Sequence, residues 1–164
     1  EWVPLVLNYM SEILLIEASV PQFNKLKQNF FDKLDVSFLN SIITTDGEEV
    51  EFFEGGRGYT NSVVKRVIEH WETEKISSTV RSSISLNTII EENFDRKIDW
   101  LHLDVEGLDS KLIRSVDYSK LPNLIIFEDY NLSDDEKNEI YEWLKIGLYS
   151  LHSESGICMA TKLI

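Results

Sequence analysis

The chain has 164 residues and 43% hydrophobic content, enough for one sizeable core, so a single domain over residues 1–164 is expected. Its 29 acidic and 16 basic residues give a formal charge of −13, which argues against nucleic-acid backbones and anionic membrane surfaces as partners. The single cysteine, Cys158, cannot close an internal disulfide, and neither a cationic leader nor an apolar run of spanning length is present, so a cytoplasmic setting is expected.

Residues Glu1 to Met10 carry apolar positions compatible with the last turns of a helix. Ile13 to Ile16 reads as a buried strand that stops at Glu17. From Pro21 the spacing Phe23, Leu26, Phe30 predicts an amphipathic helix, with Ser19 as its cap. Strand, acidic terminus and helix make half of a nucleotide-binding βαβ unit. In such units a carboxylate at a strand end accepts hydrogen bonds from paired ribose hydroxyls, and Glu17 is placed for that. The plainer reading is a solvated glutamate at a strand end.

Val36 to Ile43 is the next predicted strand, closed by Thr44, Thr45, Asp46 and Gly47, whose Asp-Gly pair signals a turn. Val50 to Phe53 continues as a strand into the loop Glu54 to Gly58, whose glycine spacing matches neither the dinucleotide nor the Walker pattern. Thr60, Asn61 and Ser62 either line a pocket or cap the amphipathic segment Val63 to Trp71. His70, with no visible partner, reads as a surface residue. Thr79 to Leu86 alternates in part and leads into a short helix ending near Phe94.

The run Ile98 to Asp109 organises the chain. Trp100 to Leu103 is apolar enough for a buried parallel strand, and it ends abruptly in Asp104, Glu106 and Gly107. In open α/β sheets ligands lie beyond the carboxyl ends of the strands, which puts both acids at such a crevice, while Gly107 permits close approach. The alternative is that Asp104 caps the helix predicted from Leu108 to Val116. Leu124 to Phe127 is another buried strand ending in acid, Glu128 and Asp129. Ser133 and Glu136 form a capping-box signal for a helix through Ile140, Trp143 and Leu144 to Gly147. Leu148 to His152 and Ile157 to Leu163 predict a terminal β-hairpin.

This alternation, with acids on three strand ends and a closing hairpin, suits a class I S-adenosylmethionine-dependent methyltransferase. The wording is more specific. ILLIEASVPQFNKLKQNF, FLNSIITTDGEEVEFF, SISLNTIIEE, IDWLHLDVEGLDSKLIRSV and PNLIIFEDYN resemble, in register, the successive blocks of the FkbM-type methyltransferases, with His102 where that family usually has Lys. The resemblance implies a Rossmann-like, mostly parallel sheet with helices on both faces and a C-terminal antiparallel hairpin. It implies that Glu17 binds the cofactor ribose, that Ser41, Ile42 and Asp46 lie near the adenine, and that Asp104 and Glu106 face the methyl donor and acceptor. The family's glycine-rich loop after the first strand has no counterpart, since the first glycine is Gly47. A further strand and glycine loop upstream of Glu1 are therefore expected.

Methyl transfer to oxygen needs the acceptor hydroxyl in line with the sulfonium and a base for its proton, a role open to Asp104 or Glu106. Alternatively Asp104, Glu128 and Asp129 hold a divalent cation such as Mg²⁺, which would relieve their mutual repulsion. The expected activity is O-methylation of a sugar, glycan or secondary metabolite. An NAD-binding oxidoreductase and a noncatalytic Rossmann-like binding domain are the alternatives. Oligomeric state is not readable from these residues.

Overall fold

The computed structural model describes residues 12–33, 35–56, 61–71 and 76–163. They fall into two compact units, Glu1–Ile42 and Ile43–Ile164. The expected helix over Glu1 to Met10 lies outside the described residues.

In the first unit, strand β1 (Ile13–Ile16) pairs in parallel with β2 (Val36–Leu39), joined by helix α1 (Val20–Phe30). The register Ile13↔Val36 to Ile16↔Leu39 brings both strands to their carboxyl ends in step. Pro21 presets the first helical turn. Ser19 occupies the cap position, but its side chain does not cap; instead its backbone N–H donates to Glu17 Oε1 at 2.7 Å. The strand predicted over Val36 to Ile43 is broken at Asn40, whose Nδ2 donates to the carbonyls of Glu17 (2.7 Å) and Ala18 (3.2 Å). Every residue of β1 is half-buried rather than buried, as befits a two-stranded sheet.

The second unit holds β3 (Ile42–Thr44, beginning at the boundary), β4 (Val50–Glu54), β5 (Asn61–Ser62), α2 (Lys65–Trp71), β6 (Ser77–Arg81), β7 (Ser83–Ser85) and α3 (Leu86–Asn93). There follow β8 (Trp100–Leu103), α4 (Asp109–Ser115), β9 (Leu124–Glu128), α5 (Asp134–Ile146), β10 (Tyr149–Glu154) and β11 (Ile157–Lys162). Strand β4 runs antiparallel to β5 and β6, and β3 pairs with β7. The four-stranded sheet has the order β10-β11-β9-β8, with β8 and β9 parallel and the closing hairpin antiparallel, as the sequence predicts.

The strands and helices alternate as expected, giving a mixed α/β fold. A single, mostly parallel sheet is not formed among the described residues: the strands make four small sheets, and β8 stands at the edge of the largest. That edge position explains why His102 is exposed and Trp100 and Leu101 only half-buried, where a central parallel strand would be covered on both faces.

The core is Leu103, Leu112, Ile113, Ile125, Phe127, Ile140 and Leu144 with their neighbours, formed where α4 and α5 cover the sheet. Alternate residues of β9 enter it, which fixes the opposite face for Glu128. Helix α5 begins with the predicted capping box: Glu136 N–H donates to Ser133 Oγ (3.3 Å), and Ser133 N–H to Glu136 Oε2 (2.9 Å). No helix of the described residues is long and apolar enough to cross a membrane. Because a serine cap contributes about 1 kcal/mol, Ser133→Ala lowers unfolding free energy by about that amount in urea titration, with the slope unchanged. An unaltered midpoint would show the cap to be idle.

Candidate active site

The parallel register Trp100↔Leu124 to Leu103↔Phe127 ends β8 and β9 in step. The next residues along are Asp104 and Glu128, so the sheet itself delivers two carboxylates to one rim. Asp104 is exposed there. Glu106 reaches the same rim by an uncommon backbone turn: it has φ +55° and Gly107 has φ +94°. A left-handed glutamate costs on the order of 1 kcal/mol and persists only where its surroundings hold it. Ser62 does so by donating from Oγ to the Glu106 carbonyl at 2.8 Å, while accepting from Val64 N–H at 2.8 Å. Ser62 thus both caps the approach to α2 and braces the site; Thr60 lies outside the described residues. Gly107 is required for space as well, since a Cβ there would sit 2.9 Å from Val67 Cγ2.

One amide joins the two glutamates. Asn131 Nδ2 donates to Glu106 Oε2 at 2.9 Å and to Glu128 Oε2 at 2.8 Å. The Trp71 indole N–H donates to Asn131 Oδ1 at 3.2 Å, so both ends of the amide are used and its orientation is determined. Burial raises the proton affinity of Glu106, the charges of Glu128 and Asp104 add to it, and the group is pushed up to about 7 despite the opposing hydrogen bond from Asn131. Glu128 is raised as well, by burial first, against the same hydrogen bond and with Asp104 and Asp129 contributing.

Beneath the rim lies Asp109, fully buried at the start of α4. Its Oδ2 accepts from Gly107 N–H at 3.3 Å, and its Oδ1 has no partner among the described residues. A buried anion left half-satisfied is costly, so burial pushes its pKa up to about 7, with Glu128 and Asp104 adding to the rise. The capping reading does not hold here: Asp104 does not cap α4, whose cap position is Leu108 without a side-chain bond.

Asp129 does not join the rim. It is buried, and its Oδ2 accepts from Ser153 Oγ at 2.6 Å and from the Tyr141 hydroxyl, which ties β9 to β10 and α5. Strand alternation is the reason, since Asp129 follows Phe127 toward the core and Glu128 faces the other way. The expected Mg²⁺ set of Asp104, Glu128 and Asp129 is therefore not assembled. Among the described residues no group of three or more His, Cys, Asp or Glu side chains is arranged to hold a metal ion.

Of the residues expected to hold a cofactor, Glu17, Ser41 and Ile42 belong to the first unit and Asp46 to the second. Glu17, half-buried at the carboxyl end of the parallel β1–β2 pair, has one carboxylate oxygen oriented by Ser19 N–H. Ser41 Oγ donates to the Ile42 carbonyl at 3.2 Å, and Ile42 is buried. Asp46, in the second unit, shapes the β3–β4 turn by accepting from Glu48 N–H (3.1 Å) and Thr44 Oγ1 (3.2 Å). The backbone bond from Glu48 leads the effects that hold its pKa below the usual carboxylate range. Asp104, Glu106 and Glu128, singled out in the sequence, stand together on one rim, whereas Asp109 and Trp71, which join them there, were not singled out. A carboxylate in the first turn after a glycine was the available signal for Asp109; Trp71 offered none beyond its place on an amphipathic segment.

In α/β units ligands characteristically bind beyond the carboxyl ends of parallel strands, where these carboxylates are gathered. Residues 5–151 match the family model described as the methyltransferase FkbM domain, and the chain belongs to that family. It is a methyltransferase by family. No curated protein and no solved structure matches it.

Asp109 gives the site a measurable pH signature. Its folded-state pKa is raised above the ordinary 3.8, so between those values the folded chain holds a proton that the unfolded chain has lost, and stability falls as pH rises. Asp109→Asn removes this term and flattens the decline between pH 5 and 7 by about 2 kcal/mol in denaturant titrations. A slope identical to wild type would show that Asp109 is charged in the folded state.

Proposed function

We propose that this domain is an S-adenosylmethionine-dependent O-methyltransferase acting on a hydroxyl of a sugar, glycan or secondary metabolite, with Glu106 as general base. Family membership supports methyl transfer. The single observation that carries the choice of base is the state of Glu106: a half-buried carboxylate, braced by Asn131, whose proton affinity lies near neutrality. A base is most effective when its pKa is close to the working pH, and hydroxyl acceptors need such a base more than amines do.

The parallel β1–β2 pair fits the cofactor in one respect, because Glu17 stands at its carboxyl end with its carboxylate already oriented by a backbone donor. In this reading Glu17 accepts from the ribose hydroxyls, and Ser41 and Ile42 border the adenine. When bound, S-adenosylmethionine supplies an electrophilic methyl group on a sulfonium. The protein's own contribution is to hold the acceptor hydroxyl, to take its proton at a Glu106 carboxylate oxygen, and to set a negative rim of Asp104 and Glu128 around it. Asn131 steadies that rim by donating to two acids that would otherwise repel each other. The same surplus of acid keeps phosphate-bearing polymers away, so a small-molecule or glycan acceptor is the fitting partner.

In the full-length chain, S-adenosylhomocysteine binds in calorimetry, and Glu17→Ala weakens that binding. Glu106→Gln lowers kcat on the order of a hundredfold while the S-adenosylhomocysteine affinity is kept. Because the base works deprotonated, kcat/KM of the wild type rises with pH through a midpoint near 7 and then levels. Absence of S-adenosylhomocysteine binding would reject the cofactor; an unchanged rate in Glu106→Gln would reject the base.

A further inference from the structure

We propose that Trp71 and Tyr130 form the acceptor subsite, a paired aromatic platform that takes a pyranose ring on its apolar face; this rests on the methyltransferase reading and names its substrate class. The two rings lie with centroids 5.5 Å apart and planes inclined at 32°. Both remain open to solvent, Trp71 at 42% and Tyr130 at 55% exposure. Adjoining exposed aromatic rings form a patch that gains from being covered.

Neither ring is placed loosely. The Trp71 indole is held by its N–H bond to Asn131 Oδ1 at 3.2 Å, and His70 meets its ring edge-on with centroids 5.0 Å apart. Tyr130 is seated on Gly156: a Cβ at Gly156 would lie 2.8 Å from Tyr130 Cβ, and Tyr130 N–H donates to the Gly156 carbonyl at 3.2 Å. Gly156, at φ +84° in the β10–β11 turn, is thus required both for the turn and for the ring packed on it. Preset aromatic surface offers contact area at little cost in conformational entropy.

The platform is joined to the proposed base. From Trp71 the chain of hydrogen bonds runs through Asn131 to Glu106 at 2.9 Å and Glu128 at 2.8 Å. An apolar surface therefore borders a row of one amide and two carboxylates. The matching ligand has a C–H face to lie on the rings and several hydroxyls along one edge to meet the polar row. A pyranose has both. A phenol would stack but presents one hydroxyl to three polar side chains, and an ammonium would use the rings and the acids but leave no hydroxyl for the base.

The test is saturation-transfer-difference NMR on the full-length protein with methyl glucoside, methyl galactoside and methyl mannoside as probes, beside phenol and tetramethylammonium. The expected result is saturation of pyranoside ring C–H protons in the wild type. It is reduced about fivefold in Trp71→Ala and in Tyr130→Ala and retained in Tyr130→Phe, with far-UV circular dichroism unchanged. Should Trp71→Ala fail to fold, Trp71→Phe with Tyr130→Ala carries the comparison. Three results overturn the proposal: no pyranoside saturation in the wild type, undiminished saturation in the alanine variants, or saturation of phenol or tetramethylammonium alone. Calorimetry with S-adenosylhomocysteine reads the cofactor separately, so loss of that binding with pyranoside contact intact would refute the cofactor and not the platform.

Discussion

The in-step parallel pairing of β8 and β9 is the constraint on which the site depends. Because Leu103 lies opposite Phe127, the two strands finish together, and the residues after them, Asp104 and Glu128, are forced to the same rim. Their side-chain pattern follows from the core: Leu103, Ile125 and Phe127 are buried beneath α4 and α5, so the register cannot slip by one residue without exposing them. Hydrophobic burial thus fixes where the carboxylates stand, although it gains nothing from them.

Gathering acids has an energetic cost, and the structure shows how it is met. Glu106 and Asp109 are both raised toward neutrality, so near pH 7 the cluster need not carry its full negative charge. Asn131 lends one amide hydrogen to each of two glutamates, and Trp71 keeps that amide from turning its oxygen toward them. The backbone strain at Glu106 is held by Ser62 from below. Strain, raised proton affinity and a shared hydrogen-bond network thus meet at one place on the sheet edge.

Asp129 shows how close neighbours in sequence can part in function. It follows Glu128 directly, yet strand alternation sends it inward, where Ser153 and Tyr141 use it to tie the terminal hairpin to the sheet. Two adjacent acids therefore part: Glu128 stands on the rim beside Asn131, and Asp129 holds the fold together.

The local chemistry of this protein was legible in its residues. Ser133 and Glu136 announced the start of α5, the runs Leu148 to His152 and Ile157 to Leu163 the closing hairpin, and the apolar runs ending at Asp104 and Glu128 the acid rim, because caps and strand periodicity are written within a few residues of where they act. Tertiary structure decided what depends on distance along the chain. Trp71 and Asn131 are sixty positions apart and meet only after α2 and the loop beyond β9 are folded; the break at Asn40, the partners Ser153 and Tyr141 that Asp129 finds and the burial of Asp109 likewise follow from neighbours distant in the chain. A sequence specifies which groups are available and on which face; which of them share hydrogen bonds, lose water or keep a proton is settled by packing.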